Sequence, residues 1–454
     1  MRLLIASSLL MLTSPMVNAE VTALLEQEWA GDKHGNANKL ESRLIPELNY
    51  ELSDGWQMTM IGEIRYDSFA NLNSFKNRPD SYSSINGPIL TNSTGSFAIK
   101  EWYFDSEIGD SFWRIGKQQV VWGQADGLKI LDVVNPQSFS EFILQDFEDS
   151  RIPLWMLNID ATIDDNSSVQ FLWIPDTTYN EFAEEGSIYY ASSELLRPDL
   201  AEATLLGFNK DKPTSAFSDG DFGIRVSSFL NGWDLTLNWL YHYHDSPVIS
   251  QQETQQGVLL ESRYFRNHLI GTSASNAFGD FTIRAEIGYN NETYHYTRQA
   301  NLTTEFTTTD FATTNLAITE SDQNSSGVHQ SDEFASVIGL DWQGIENAML
   351  SVQWFQSHLF DYPHDSKIIR KQQINTFSFL YRHSFINETL EFELLALHGL
   401  EYADNSFQLK LSYQLESNVD LWIGADVFSG NSNGLFGQFD QTDRLTLGWR
   451  WGFD

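Results

Sequence analysis

Apolar and polar residues alternate along most of this chain. Trp233, Leu235, Leu237, Trp239, Tyr241 and Tyr243 point one way, and Asp234, Thr236, Asn238, His242 and His244 the other. Phe281, Ile283, Ala285, Ile287 and Tyr289 oppose Thr282, Arg284, Glu286 and Asn290. Phe407, Leu409, Leu411, Tyr413 and Leu415 oppose Gln408, Lys410, Ser412 and Gln414, and Val419, Leu421, Ile423, Ala425 and Val427 oppose Asp420, Gly424 and Asp426. Period two means strand. Strands of about 10–13 residues match a tilted bilayer crossing with the apolar side outward. A soluble sandwich would carry its polar face outside, on shorter strands. Tight turns rich in Gly, Asn and Asp fall at 53–55, 109–110, 163–166, 231–232, 278–280, 343–346, 386–387 and 416–418. Longer polar connections lie between them, at 69–94, 122–152, 176–218, 245–262, 296–332, 360–372 and 430–440. Short and long connections on opposite rims predict an all-β fold, a transmembrane antiparallel β-barrel of about 18 strands. Both termini then fall on the turn side.

The two ends agree. Arg2, the apolar run Leu3 to Leu12 and Val17-Asn18-Ala19 have the order of a secretory signal peptide, so the expected division is a signal peptide over 1–19 and a barrel over 20–454. At the other end Leu445, Leu447, Trp449, Trp451 and Phe453 alternate with Thr446, Gly448, Arg450 and Gly452. This closing strand resembles the C-terminal targeting signal of Gram-negative outer-membrane barrels, which implies handling by the barrel-assembly machinery. Thr446, Gly448, Trp451 and Phe453 match that pattern, and Asp454, one residue past the usual terminal aromatic, departs from it.

Composition narrows the options. The chain has no cysteine, which excludes thiol chemistry, Fe–S clusters and Cys-ligated zinc. Mean hydropathy is −0.33 although aromatics reach 14%, as expected where each strand is only half apolar. The formal charge of −35 disfavours nucleic acid and suits a cation-rich outer surface of lipid and lipopolysaccharide, or a cation-attracting vestibule.

The polar side of the strands is too charged for a dry core. Glu63, Arg65, Arg225, Arg284, Glu286, Arg382, Lys410, Arg444 and Arg450 are the expected pore-lining residues. Unpaired buried charges cost several kcal/mol, so the interior must hold water or a tightly paired network. The connection Trp122 to Pro153 is too apolar for a loop facing water only, with Leu128, Ile130, Leu131, Val133, Val134, Phe139, Phe142 and Phe147. It is expected to tuck into the barrel mouth. Ser138 to Phe147 reads as a short helix, with Ser138 as N-cap and Glu141 closing a capping box. Asp132, Asn135, Asp146, Glu148, Asp149 and Arg151 are the expected constriction residues.

The run Arg114 to Gln118, then Trp122-Gly123, Asn135-Pro136, Arg151 and Pro153 resembles a large porin-like family of proteobacterial outer-membrane proteins, and more distantly the alginate-export barrels. About a fifth of the chain carries this match. The resemblance implies passage of small solutes across the outer membrane, without enzymatic activity. Some members are encoded beside hydrophobe-exporting pumps, which leaves open a barrel working with a periplasmic or inner-membrane partner. A rim-active hydrolase is the other alternative. His242 and His244 with Asp245 lack a third metal ligand fixed by spacing, and no Ser–His motif stands out. No cofactor and no metal is expected.

Overall fold

The computed structural model describes residues 19–69, 80–198, 205–254, 257–298, 327–363 and 368–453. Residues 1–18 of the expected signal peptide, Asp454 and most of the connection 296–332 lie outside them.

Among the described residues, period-two alternation produces eighteen long antiparallel strands that close on themselves. They are β1 Ala19–Asp32, β2 Ala37–Glu51, β3 Gln57–Asp67, β4 Gly95–Ile108, β5 Ser111–Gln118, β6 Leu154–Asp164, β7 Ser167–Ile174, β8 Asp221–Leu230 and β9 Trp233–Tyr243. The ring continues with β10 Arg266–Phe278, β11 Phe281–Tyr296, β12 Val328–Trp342, β13 Ala348–Leu359, β14 Gln373–Phe385, β15 Leu390–Gly399, β16 Asp404–Glu416, β17 Val419–Ser429 and β18 Arg444–Phe453. Each pairs with its sequence neighbours, and β1 pairs with β18, so the cylinder has no free edge. Leu25 faces Trp451 and Trp29 faces Leu447 across this seam. The two-residue strand Leu90–Thr91 pairs only with β4, outside the ring.

Burial is inverted relative to a soluble sandwich. Leu447 is 57% exposed, whereas Thr446 beside it is 7% exposed. Ile270, Ile283, Ile338, Val352 and Phe377 are exposed as well, while Thr236, Asn238, Ser273, Gln353 and Ser378 are buried. An apolar outer band around a polar interior is what a bilayer-spanning barrel requires. The buried hydroxyls find partners across strands, as in Thr236 with Ser273 at 2.7 Å.

All eight connections on one rim are tight, and each coincides with or overlaps an expected turn. The left-handed residues that such turns demand are Gly, Asn and a few others: Gly55, Gly109, Asn231, Gly232, Gly279, Asn347 and Asn387 all have positive φ. On the other rim the expected long connections are present, with two additions. The links 33–36 and 400–403 are as short as the turns. The 175–220 and 244–265 connections join through a three-stranded sheet of Leu205–Asp211, Gly257–Arg263 and Val248–Thr254.

Candidate functional site

The 119–153 loop enters the barrel and reaches both walls. On one side Trp122, Leu131 and Val134 are buried against Leu154, Met156, Leu172, Ile174, Leu240 and Leu269, inward positions of β6, β7, β9 and β10. Those strands therefore replace polar inward residues with apolar ones where the loop lands. The fit depends on glycine. A Cβ on Gly271 would stand 2.3 Å from Leu131 Cδ2, and one on Gly223 would stand 2.9 Å from the Trp122 ring. On the opposite side Phe142 is buried with Leu397, Phe428, Phe436 and Phe439, its ring 4.6 Å from that of Phe439.

The expected helix over Ser138 to Phe147 does not form. Ser138–Phe139 is a short strand parallel to Glu181–Phe182, Phe142 has φ of 56°, and the only helical turn of the loop is Phe147–Ser150. The reason lies in Glu141. Instead of capping a helix, its carboxylate accepts from Lys39 on β2 at 2.7 Å and Arg444 on β18 at 2.6 Å. Two charged donors outweigh one backbone amide.

A second clamp repeats this design. Asp149 accepts from Arg43 at 2.9 Å and from Lys100 at 2.7 Å. Burial alone would raise both carboxyls. The cations opposite prevail and hold Glu141 and Asp149 well below the ordinary carboxylate range. The wall continues the pattern: Lys39 also touches Glu28 and Glu41, both at 3.1 Å, and Arg43 touches Glu26 at 3.2 Å and Glu63 at 3.0 Å. Arg65 pairs with Glu41, Arg450 with Glu26, and Arg444 with Asp426.

These groups surround a chamber of about 490 Å³ between the loop and the wall formed by β15 to β18 and β1 to β4. Tyr82, Thr91 and Glu181 line it toward the loop rim; Glu391, Asp420 and Arg450 line it toward the turn rim. Of the residues singled out in the sequence, Glu63, Arg65, Lys410, Arg444 and Arg450 line this chamber, as do Asp146, Asp149 and Arg151 of the loop.

Others stand elsewhere. Arg225 donates to the Val121 carbonyl at 3.1 Å. Glu286 accepts the amides of Gln124 and Leu131, and Arg284 bridges Asp126 and Asp341. All three hold the first half of the loop rather than line the chamber. Arg382 pairs with Glu391 and Glu393, which line the chamber in its place. Asp132 is buried between Arg151 and Lys129. Asn135 is buried too, accepting the Val120 amide at 2.7 Å and donating to the Gln118 and Ile152 carbonyls. It shapes the loop's bend. Glu148 is exposed and lies outside the lining. His242 is buried on β9, and His244 lies past the strand end, accepting the Ser246 amide at 3.3 Å. Among the described residues no group of three His, Cys, Asp or Glu side chains is placed to hold a metal.

Glu26, Glu28, Lys39, Glu41, Arg43 and Lys100 were not anticipated. Their strands hide the signal, because Leu24-Leu25 and Leu44-Ile45 put apolar residues on both faces. The even positions Glu26, Glu28 and the odd positions Lys39, Glu41, Arg43 are the trace that alternation leaves there.

Three solved barrels share the architecture. OpdK of Pseudomonas aeruginosa, crystallised with vanillate, aligns at a TM-score of 0.50 and 10% identity, covering 96% of this chain and 98% of that one. OccAB2 of Acinetobacter baumannii gives 0.51 and 11%, with the same coverage. A BenF-like porin of Pseudomonas fluorescens gives 0.51 and 9%, again with 96% and 98% covered. At such identity these likenesses establish the fold. No curated protein matches the chain in sequence. Residues 33–447, nearly the whole cylinder, match the family described as "Protein of unknown function (DUF1302)", and the chain belongs to that family.

Proposed function

We propose that this chain is an outer-membrane channel for small polar or charged solutes, narrowed by the 119–153 loop. One observation carries the reading: a charged chamber runs beside a loop that is pinned across the lumen, inside a barrel whose outer face is apolar. A chamber of this size suits a molecule of a few to a dozen heavy atoms rather than a polymer. The lining charges are held at fixed positions, so a passing solute meets a preformed field. One of the similar barrels is a porin by name, which supports passage rather than catalysis. The vanillate found in one of them is a carboxylate, and this lining carries more carboxylates than cations. The apolar band would contact lipid, and the closing strand β18 supplies the signal for barrel assembly.

Planar-bilayer recording of the purified protein tests this. Stepwise conductance is expected, and replacing residues 124–150 with a short Gly–Ser linker should enlarge each step. A barrel that stays silent both with and without the loop would sink the proposal.

A further inference from the structure

The chamber carries both signs of charge, but they are not equally available. Its lining holds twelve carboxylates and nine cations. Every one of the nine is engaged. Lys39, Arg43 and Arg444 each face two or three carboxylates, and Lys117 donates to the Ile99 carbonyl at 2.7 Å. The loosest contact is Lys410 to Asp146, at 3.9 Å. The carboxylates, by contrast, have capacity to spare. Asp420 takes no ion pair among the described residues, Glu391 and Glu393 share the single Arg382, and Asp146 is 73% exposed.

An entering anion would therefore have to displace an acceptor already seated on each cation, a carboxylate on eight of them and the Ile99 carbonyl on Lys117. An entering cation meets carboxylates with free lone pairs. Salt weakens the imbalance only in part, because the screening length at physiological ionic strength is roughly 8 Å and buried charges are screened less than exposed ones. The lining also shows how an ammonium is accommodated. Lys410 Nζ stands 5.6 Å over the Trp422 ring, whose Nε1 donates to Glu28 at 3.2 Å. An inward indole beside carboxylates is a surface on which an ammonium rests, here that of Lys410, and an entering ammonium would compete with it for the ring.

We infer that the chamber selects cations, and that its solutes are small organic amines that pass Trp422 and Asp420 ammonium-first. This rests on the channel reading above and names its solute class.

The test is reversal potential in a KCl gradient across a planar bilayer, with uptake into liposomes of putrescine and succinate, four-carbon chains of opposite charge. Potassium is expected to permeate several-fold better than chloride, and putrescine several-fold faster than succinate. The triple variant Glu391→Gln, Glu393→Gln, Asp420→Asn should lower both ratios at least twofold, since it also frees Arg382. Asp420→Asn alone, which breaks no ion pair, should lower them less. Heat-modifiable gel mobility checks that each variant is a closed barrel. Conduction with chloride or succinate favoured would overturn the inference and leave the channel intact. Absence of any conduction would overturn the channel reading, and this inference with it.

Discussion

Single residues decide whether the lumen is narrowed at all. Leu131 is fully buried, and it reaches that position only because Gly271 has no side chain. A Cβ there would also sit 2.9 Å from the Ile287 carbonyl, which belongs to the ladder and cannot retreat. Gly271→Val should therefore unseat the loop and also strain the neighbouring ladder, at a cost of about 1–3 kcal/mol. Trypsin is then expected to cut at Lys129 or Arg151 while the barrel stays resistant. A digestion pattern identical to the parent would show that Leu131 is not the anchor. Glu141 makes the same point in charge. Its neighbours in sequence argue for a cap, and its neighbours in space make it a strut.

At the scale of the element, the inward loop is fixed by two kinds of contact with different sensitivities. The aromatic seats at Trp122 and Phe142 do not titrate. The clamps at Glu141 and Asp149 do, but both carboxyls are held below their ordinary range. A depressed carboxyl stabilises above its unfolded value of about 4 and loses that contribution only as pH falls through the lowered folded value. The clamps should thus be fully intact down to about pH 5. Single-channel conductance is expected to be the same at about pH 7 and about pH 5. A step between those values would assign loop control to a group other than the two clamps. Sequence reading caught the loop as an element because its many apolar residues cannot all face water. It missed the internal form, since a capping box is judged over four residues and the competing donors, Lys39 and Arg444, lie 102 and 303 positions away.

For the whole molecule, the barrel was legible because its turns and its strands signal independently. Gly, Asn and Asp marked every tight turn, and β9, β11, β16 and β17 alternate cleanly enough to fix which side faces out. The links 33–36 and 400–403 escaped, being too short to register as loops on the rim where long ones were expected. Half of the chamber escaped with them, because β1 and β2 do not alternate cleanly. Of the two, β1 meets β18 at the seam, where Arg450 lies opposite Glu26 and Thr446 opposite Ala30. Glu26 touches both Arg450 and Arg43. Glu26→Arg or Arg450→Glu alone should slow barrel formation, followed as the heat-modifiable band, and the two together should restore part of the rate, the remainder being lost to repulsion between the new arginine and Arg43. The partly exposed pair is worth about 1 kcal/mol, and each single reversal adds repulsion from what remains. A double variant as slow as the worse single would remove the seam pair from assembly.

Sliding the last strand by a single position would aim Arg444 and Arg450 at hydrocarbon and turn Trp449 and Trp451 inward. The opposed charges at the join thus serve as a checksum: a cylinder zipped out of step is rejected on energetic grounds before it ever meets a solute.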